Sequence, residues 1–235
     1  MKTYLVIFSL AVALLAIPTA TPSIAVGDGQ REFNFEVFLD DRAIGFHRFE
    51  LSPTQEGVRL VTEADFEVRF LGITAFAYEH RNTELWRDGC LQSIDARTDS
   101  NGKRSSVTGR LKGREFILGE GARTLGDCVA TFAYWDKDIL LQRQRLLNSQ
   151  TAEYMPIRIE ALGQDRLRIG SRDIPVRRYK LGGEGLDITI TYAVGSNEWV
   201  ALDSRLDNGR TLRYRRSLSE LSSLSPGEQR VSTQG

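Results

Sequence analysis

The stretch "ITYAVGSNEWVALDSRLDNGRTLRYR", residues 190–215, decides the fold class because apolar and polar residues alternate on either side of tight turns. A two-residue Asn-Gly loop would place charged side chains on the apolar face of the second hairpin. A three-residue loop at 207–209, with glycine in the left-handed conformation, pairs Leu202 with Tyr214 and separates the faces. The stretch therefore predicts antiparallel strands, with Tyr214 in the core and Trp199 on the opposite face.

The same period of two dominates the chain upstream of this stretch. Apolar residues alternate with charged ones from Val58 to Phe70, and Asn101-Gly102 is a strong hairpin signal because both residues adopt positive φ at low cost. Between Phe33 and Leu51, alternation is preserved only if one strand carries an extra residue near His47, so we predict a β-bulge there. On that prediction His47 is a bulge residue rather than a catalytic base. Further strands are predicted at 154–162, 166–169, 174–181 and 187–194.

One segment departs from this period. Between Asp136 and Asn148, the apolar residues recur at the spacing of one helix face, and Asp136 is a suitable N-cap. We predict a short amphipathic helix that packs on the concave side of the sheet or plugs it. The fold class that follows is all-β and mainly antiparallel: a strongly bent sheet, half-barrel or barrel with one short helix.

The N-terminal residues have the pattern of a secretory signal. Lys2 precedes an apolar run from Tyr4 to Ile17, followed by Pro18 and a Ser-x-Ala site that predicts cleavage after Ala25. A retained anchor is the alternative, but the run is shorter than the roughly 20 residues that cross a bilayer. We expect an exported, periplasmic protein without a membrane span in the mature chain. Residues 26–218 are predicted to form one β-rich domain, and residues 219–235 a disordered tail.

Composition excludes several classes of function. The chain carries 31 basic and 31 acidic residues, so it lacks the excess of positive charge that is typical of proteins that bind nucleic acid. Cys90 and Cys128 are the two cysteines, and either a disulfide or two separate buried thiols is compatible with the sequence. The cysteines and the two histidines lack the spacing of zinc ligands, and we expect neither a metal nor another cofactor.

Candidate functional residues are few. The chain has no G-x-S-x-G motif, and its histidines are His47 and His80, so we predict no catalytic residues. Tyr78, His80 and Trp86 share one strand face if no bulge intervenes, and Trp135 stands at the predicted helix entrance. Amphipathic aromatics at the mouth of a curved sheet are typical of an apolar-ligand site, and these four residues are our candidate. The alternative is an ordinary aromatic cluster within the core.

Several segments together resemble a family of exported bacterial proteins known only as a domain of unknown function. They are "FLGITAFAYEHRNTELWRDGCL", "TDSNGK", "YWDKDILLQRQRLLNSQT" and "NGRTLRY", and the resemblance covers nearly all of the predicted mature chain. It implies a β-rich envelope protein, broadly similar to half-barrel lipid carriers, and it transfers no activity.

Three hypotheses for function follow from these observations. The first is non-enzymatic binding or carriage of a lipid or other apolar molecule in the cell envelope, which an apolar void of roughly 300 Å³ or more would favour. The second is an assembly factor that presents a sheet edge or the Trp199 face to another envelope protein. The third is a hydrolase, which would need His80 within reach of a serine and an acid.

Overall fold

The computed structural model describes residues 29–70, 73–119 and 123–216, and within these ranges strands dominate. The predicted signal peptide and the predicted tail lie outside the described residues. Strands of the first half are β1 (Arg31–Leu39), β2 (Arg42–Thr54), β3 (Gly57–Phe70), β4 (Ile73–Arg87), β5 (Cys90–Ser100), β6 (Lys103–Lys112), β7 (Glu115–Leu118) and β8 (Arg123–Leu125). Helix α1 (Lys137–Leu141) is followed by β9 (Arg145–Leu147), β10 (Tyr154–Pro156), β11 (Arg158–Ile169), β12 (Arg172–Gly183), β13 (Leu186–Ala193), β14 (Trp199–Arg205) and β15 (Thr211–Arg216).

Thirteen of the described strands form one antiparallel sheet in the order β11-β12-β13-β14-β15-β1-β2-β3-β4-β5-β6-β7-β8. Neighbours in the sheet are neighbours in sequence except at the junction of β15 with β1, so the connections are those of two meanders. Strands β9 and β10 form a separate hairpin. The all-β, antiparallel fold class predicted from the period of two is confirmed.

Contacts across the sheet show that it is strongly bent. Strands β13 and β4 are six strand spacings apart in the sheet order, which is about 29 Å on a flat sheet. Nevertheless, the Tyr192 hydroxyl on β13 donates to the Tyr134 carbonyl oxygen at 2.9 Å, while Trp86 on β4 packs against Trp135 with ring centroids 5.5 Å apart. Two adjacent residues can touch both strands only if the sheet curls around them. Its terminal strands, β11 and β8, do not pair with each other, so the sheet is an open half-barrel.

The concave side of the sheet is filled by the segment 126–157, which we call the plug. Val129, Leu140, Leu146 and Leu147 of the plug are completely buried against the sheet. A disulfide joins Cys128 at the start of the plug to Cys90 at the start of β5, with Cα atoms 4.9 Å apart. The backbone N–H of Leu91 also donates to the Val129 carbonyl oxygen at 2.8 Å, so the plug is fixed to β5 both covalently and by hydrogen bonding.

The two asparagine-glycine hairpins form as predicted. Leu202 pairs with Tyr214 across the loop at 207–209, and Gly209 has a φ of +81°. The other hairpin turns at residues 101–102, both with positive φ, and its flanking residues Ser100 and Lys103 pair.

The bulge predicted near His47 is wrong in position. Strands β1 and β2 are joined by a turn at Asp40 and Asp41, and the extra residue is Ile44, because Phe38 pairs with Ala43 whereas Val37 pairs with Gly45. His47 therefore lies in regular register, on the concave face of β2. The prediction that His47 is a bulge residue is overturned.

The predicted position of Trp199 is also wrong, and for the same kind of reason. Thr191 pairs with Ala201 while Tyr192 pairs with Trp199, so Val200 is an extra residue that shifts Trp199 to the concave face. Its side chain is completely buried, and its ring lies 4.2 Å from that of Phe35 between centroids. Trp199 thus presents no surface to a partner. The form of the assembly hypothesis in which the Trp199 face binds another envelope protein is therefore wrong.

Helix α1 begins where the sequence predicts and ends earlier. The Asp136 carboxylate accepts from the backbone N–H groups of Asp138 and Ile139, both at 2.9 Å, so it is the N-cap. The helix ends at Leu141, and residues 145–147 are extended, which is incompatible with a helix that reaches Asn148. Likewise the predicted break at 163–165 is wrong, because these residues pair with β12 inside the continuous strand β11, and the irregularity is a bulge at Leu162.

Candidate functional site

A cavity of about 230 Å³ lies between the concave face of the sheet and the plug. Its apolar wall comes from aromatic and aliphatic side chains: Phe49, Leu60, Phe132, Tyr134, Leu186, Ile188, Trp199, Leu202, Leu212 and Tyr214. Its polar wall comes mainly from three neighbouring strands and the plug: His47, Thr62, His80, Asn82, Glu84, Thr131, Asn148, Ser149, Gln150 and Ser204. No lysine or arginine is among the described residues that line it.

The polar wall is built by side-chain alternation along β4. His80, Asn82 and Glu84 are separated by two residues each, so they point to the same face of the strand. That face is the concave one, where the three side chains are 3%, 6% and 1% exposed. Three polar residues in succession therefore occupy positions that a core strand normally gives to apolar residues.

Glu84 is a buried carboxyl group held by neutral donors. Its oxygens accept from the Asn82 amide nitrogen at 2.7 Å, the Trp86 indole nitrogen at 2.7 Å and the Thr131 hydroxyl at 3.1 Å. Burial raises the pKa of Glu84, and these three hydrogen bonds oppose that rise. Among the described residues Glu84 forms no ion pair, so nothing neutralises its charge when it is ionised.

Both histidines line the cavity. Ala64 on β3 pairs with His47 on one side and His80 on the other, so the two imidazoles are two strands apart on the same face. His80 Nδ1 lies 2.9 Å from the Thr98 hydroxyl, and His47 Nδ1 lies 3.3 Å from the Tyr214 hydroxyl. Burial lowers the pKa of His80 to about 4, and burial together with the smaller effect of the His80 charge lowers the pKa of His47 to about 3. Both rings are therefore neutral at pH 7.

Two buried polar atoms of the lining lack a hydrogen-bond partner among the described residues. They are Asn82 Oδ1 and His47 Nε2. Buried polar atoms in folded proteins almost always have a partner, and an exception at a cavity wall is typical of a site that receives a ligand or water. Three further buried atoms without a partner among the described residues, Trp135 Nε1, Arg143 Nε and Arg178 Nε, belong to residues outside the lining, so only the first two are available to a ligand in the cavity.

The four residues predicted to bind a ligand are only partly brought together at the cavity. His80 lines it, whereas Trp86 and Trp135 are outside the lining and pack edge to face against each other. Tyr78 stacks on Phe66, with centroids 5.2 Å apart, outside the lining. The binding role of these residues remains a prediction.

Sequence reasoning missed Asn82, Glu84 and His47. Asn82 and Glu84 lie at alternate positions between His80 and Trp86, so all four side chains point to the same face of the strand. The alternation that selected His80 and Trp86 could therefore also have identified the polar wall. His47 was excluded only by the misplaced bulge. No pattern in the sequence placed Thr131 or Ser149 beside β4, because that contact depends on how the plug enters the sheet.

The contacts of His80 do not form a catalytic triad. The Ser149 hydroxyl lies 3.5 Å from His80 Nε2, which is long for a hydrogen bond, and a threonine hydroxyl occupies the position that an orienting carboxylate takes in a triad. The nearby carboxyl group, that of Glu84, is bound to other residues. The arrangement therefore does not meet the condition set for a hydrolase.

Two wider depressions of about 530 Å³ each lie elsewhere on the sheet. Their linings include charged side chains such as Glu79, Arg81 and Arg97, and ion pairs such as Arg81–Glu63 lie nearby. Exposed ion pairs of this kind are typical of a solvent-facing side of a sheet, and each contributes little to the free energy of unfolding. Within the described residues there is no cluster of metal-ligating side chains, and no helix is long and apolar enough to cross a bilayer.

The fold and the cavity define a β-barrel-like protein with a partly polar interior site. The chain belongs to the family described as a domain of unknown function, DUF6134, whose model matches residues 35–217. The structure is similar to the crystal structure of a β-barrel-like protein of domain of unknown function DUF1849 from Brucella abortus. That similarity has a TM-score of 0.57 at 10% identity and covers 79% of this chain and 94% of the other, so it concerns the fold alone. No curated protein matches the sequence.

Proposed function

We propose that the protein is a non-catalytic binding protein of the cell envelope that holds a small, largely apolar molecule in its interior cavity. The observation that carries the proposal is a cavity whose aromatic and aliphatic wall faces buried polar atoms without partners among the described residues. Ligand sites generally combine a mainly apolar lining with a few convergent polar groups. Placement in the periplasm rests on the signal-like N-terminus and belongs to the proposal.

The volume limits the size of the ligand. Sites for drug-sized molecules measure roughly 300–1,000 Å³, whereas an apolar cavity of about 150 Å³ holds benzene. A cavity of about 230 Å³ lies between these values and below the void that favours a lipid carrier. We therefore propose a molecule of about one ring and a short chain, or the end of a longer molecule that enters past the half-exposed Ser204 and Leu212.

Recovery of a bound molecule tests this proposal. Protein purified under mild conditions would be measured by native mass spectrometry, and any bound species extracted into organic solvent. Ser204 lines the cavity, so Ser204→Phe should fill it and abolish binding of that species. Arg205, the next residue on β14, is exposed, and Arg205→Phe adds the same ring outside the cavity.

We expect the bound species in the wild type and in Arg205→Phe, and its loss in Ser204→Phe with unchanged circular dichroism. Equal retention by both variants would contradict binding in this cavity. So would an empty wild-type protein that binds neither the small neutral probe 2-phenylethanol nor its charged analogues in a calorimetric titration.

A further inference from the structure

The lining of the cavity contains one acidic side chain and, among the described residues, no lysine or arginine. Glu84 provides the formal charge of the lining, and within the described residues no cationic side chain lines the cavity to balance it. Its three hydrogen-bond donors are neutral: an amide, an indole and a hydroxyl. An ionised carboxylate buried without a cation is costly, and a ligand that brings the cation removes that cost.

Asn82 points to the same chemistry. Its amide nitrogen donates to Glu84 Oε1, which fixes the orientation of the amide, and its Oδ1 has no partner among the described residues. An amide oxygen is an acceptor only, so the missing partner must be a donor. Asn82 Oδ1 therefore adds an unused acceptor close to the carboxylate, on the same face of β4.

The aromatic wall is compatible with a cation as well as with an apolar body. Tyr134, Trp199 and Tyr214 line the cavity, and the Tyr134 and Trp199 rings lie 5.3 Å apart between centroids. Faces of tyrosine and tryptophan attract ammonium groups, more strongly when water is excluded. An anionic head group would instead meet a carboxylate and two neutral imidazoles.

We propose that the ligand carries an ammonium group, that is, an amine protonated at neutral pH, which pairs with Glu84 and donates to Asn82 Oδ1. The apolar part of the molecule then lies against the aromatic and aliphatic wall. This inference rests on the proposed binding function and specifies the class of ligand. It excludes fatty acids and phosphate esters without an amine.

Three probes that share a phenethyl group and differ in the charge of the end group test the inference. Phenethylamine, 2-phenylethanol and 3-phenylpropionate each combine one ring with a short chain that ends in a cationic, neutral or anionic group. Titration calorimetry at pH 7.5 on the full-length wild-type protein should give a Kd for phenethylamine at least about tenfold lower than for the alcohol, because the buried carboxylate gains a partner. The propionate should bind more weakly than the alcohol.

The variant Glu84→Gln is the second part of the test, since it keeps the size of the side chain and removes its charge. It should abolish the preference for the amine, measured as the ratio of the Kd values of amine and alcohol within the variant, so a general loss of affinity does not affect the readout. Glu79→Gln is the matched control, because it makes the same change on the exposed face of β4 and should leave the preference intact.

Each outcome decides between the two proposals. Equal binding of amine and alcohol, or tighter binding of the propionate, overturns the ammonium inference and leaves the binding function standing. An amine preference that survives Glu84→Gln also overturns it. Binding of none of the three probes overturns both proposals. If Glu84→Gln does not fold, the comparison of probes on the wild-type protein decides alone.

Discussion

At the scale of single residues, the two histidines give the fold a pH dependence of known sign. Burial lowers the pKa of His80 from 6.5 to about 4 and that of His47 to about 3, while both have ordinary values in the unfolded chain. At pH values between the lowered pKa of the folded state and the ordinary pKa of the unfolded state, the unfolded chain binds more protons than the folded protein. Their contribution to stability is therefore complete above pH 6.5 and is lost progressively as the pH falls.

His80→Gln tests this linkage. Between pH 7 and pH 5, one histidine that stays neutral only in the folded state lowers the free energy of unfolding by about 2 kcal/mol. We expect His80→Gln to be less stable than the wild type at pH 7, because it changes the buried contact with Thr98, and to lose about 2 kcal/mol less than the wild type on going to pH 5. Urea unfolding at the two pH values measures this difference. Parallel losses would show that His80 is not buried in its neutral form.

At the scale of strands and turns, Gly45 allows the bulge that fixes the register of β1 and β2. Its φ is +151°, and a Cβ built on it would lie 1.8 Å from the Asp65 carbonyl oxygen on β3. Side chains at this position are excluded both by the backbone conformation and by the neighbouring strand.

Gly45→Ala should therefore destabilise the protein by more than about 3 kcal/mol, because β3 must move away from β2. Gly102→Ala is the matched control: Gly102 also has a positive φ, of +84°, but no atom lies within 4 Å of the position that a Cβ would take there. It should cost only about 1 kcal/mol of backbone strain. Thermal and urea unfolding of the two variants measure the comparison, and equal losses would refute the steric part of the argument.

Turns and bulges differ in how far the sequence determines them. The hairpins at residues 101–102 and 207–209 follow from the local preference of asparagine and glycine for positive φ, so they were predictable. The extra residues at Ile44 and Val200 carry no such signal, because packing against neighbouring strands decides where a strand accommodates one more residue. A misplaced or missed bulge changes the assignment of the residues near it, which is why His47 was predicted to be a bulge residue and Trp199 was assigned to the wrong face.

The plug shows the same division between local and distant causes. Asp136 was recognisable as an N-cap because the residues that it binds are two and three positions away. The end of the helix was not recognisable in this way. Leu147 is held in an extended conformation because its backbone N–H donates to the carbonyl oxygen of Ala130, a residue that precedes the helix in the chain. The position of His80 in the cavity followed from strand alternation, whereas its neighbour Ser149 did not.

At the scale of the whole molecule, the cavity exists because the plug stays inside the open sheet. The Tyr134 and Trp135 contacts join the plug to strands on both sides of the half-barrel, and Thr131 completes the hydrogen bonds of Glu84. The disulfide attaches the beginning of this segment to β5. Loss of that attachment should affect both the stability of the fold and the integrity of the site.

The double variant Cys90→Ser/Cys128→Ser separates these two effects. The disulfide closes a loop of 38 residues, and in the chain-entropy model its removal lowers the free energy of unfolding by about 4 kcal/mol. Because Val129 and Thr131 follow Cys128 closely in the chain, we also expect weaker probe binding under conditions in which the variant is still folded. Denaturant unfolding measures the first effect, and titration with 2-phenylethanol below the unfolding transition measures the second. Unchanged affinity in a folded but destabilised variant would mean that noncovalent packing, with the Leu91–Val129 hydrogen bond, positions the plug without help from the disulfide.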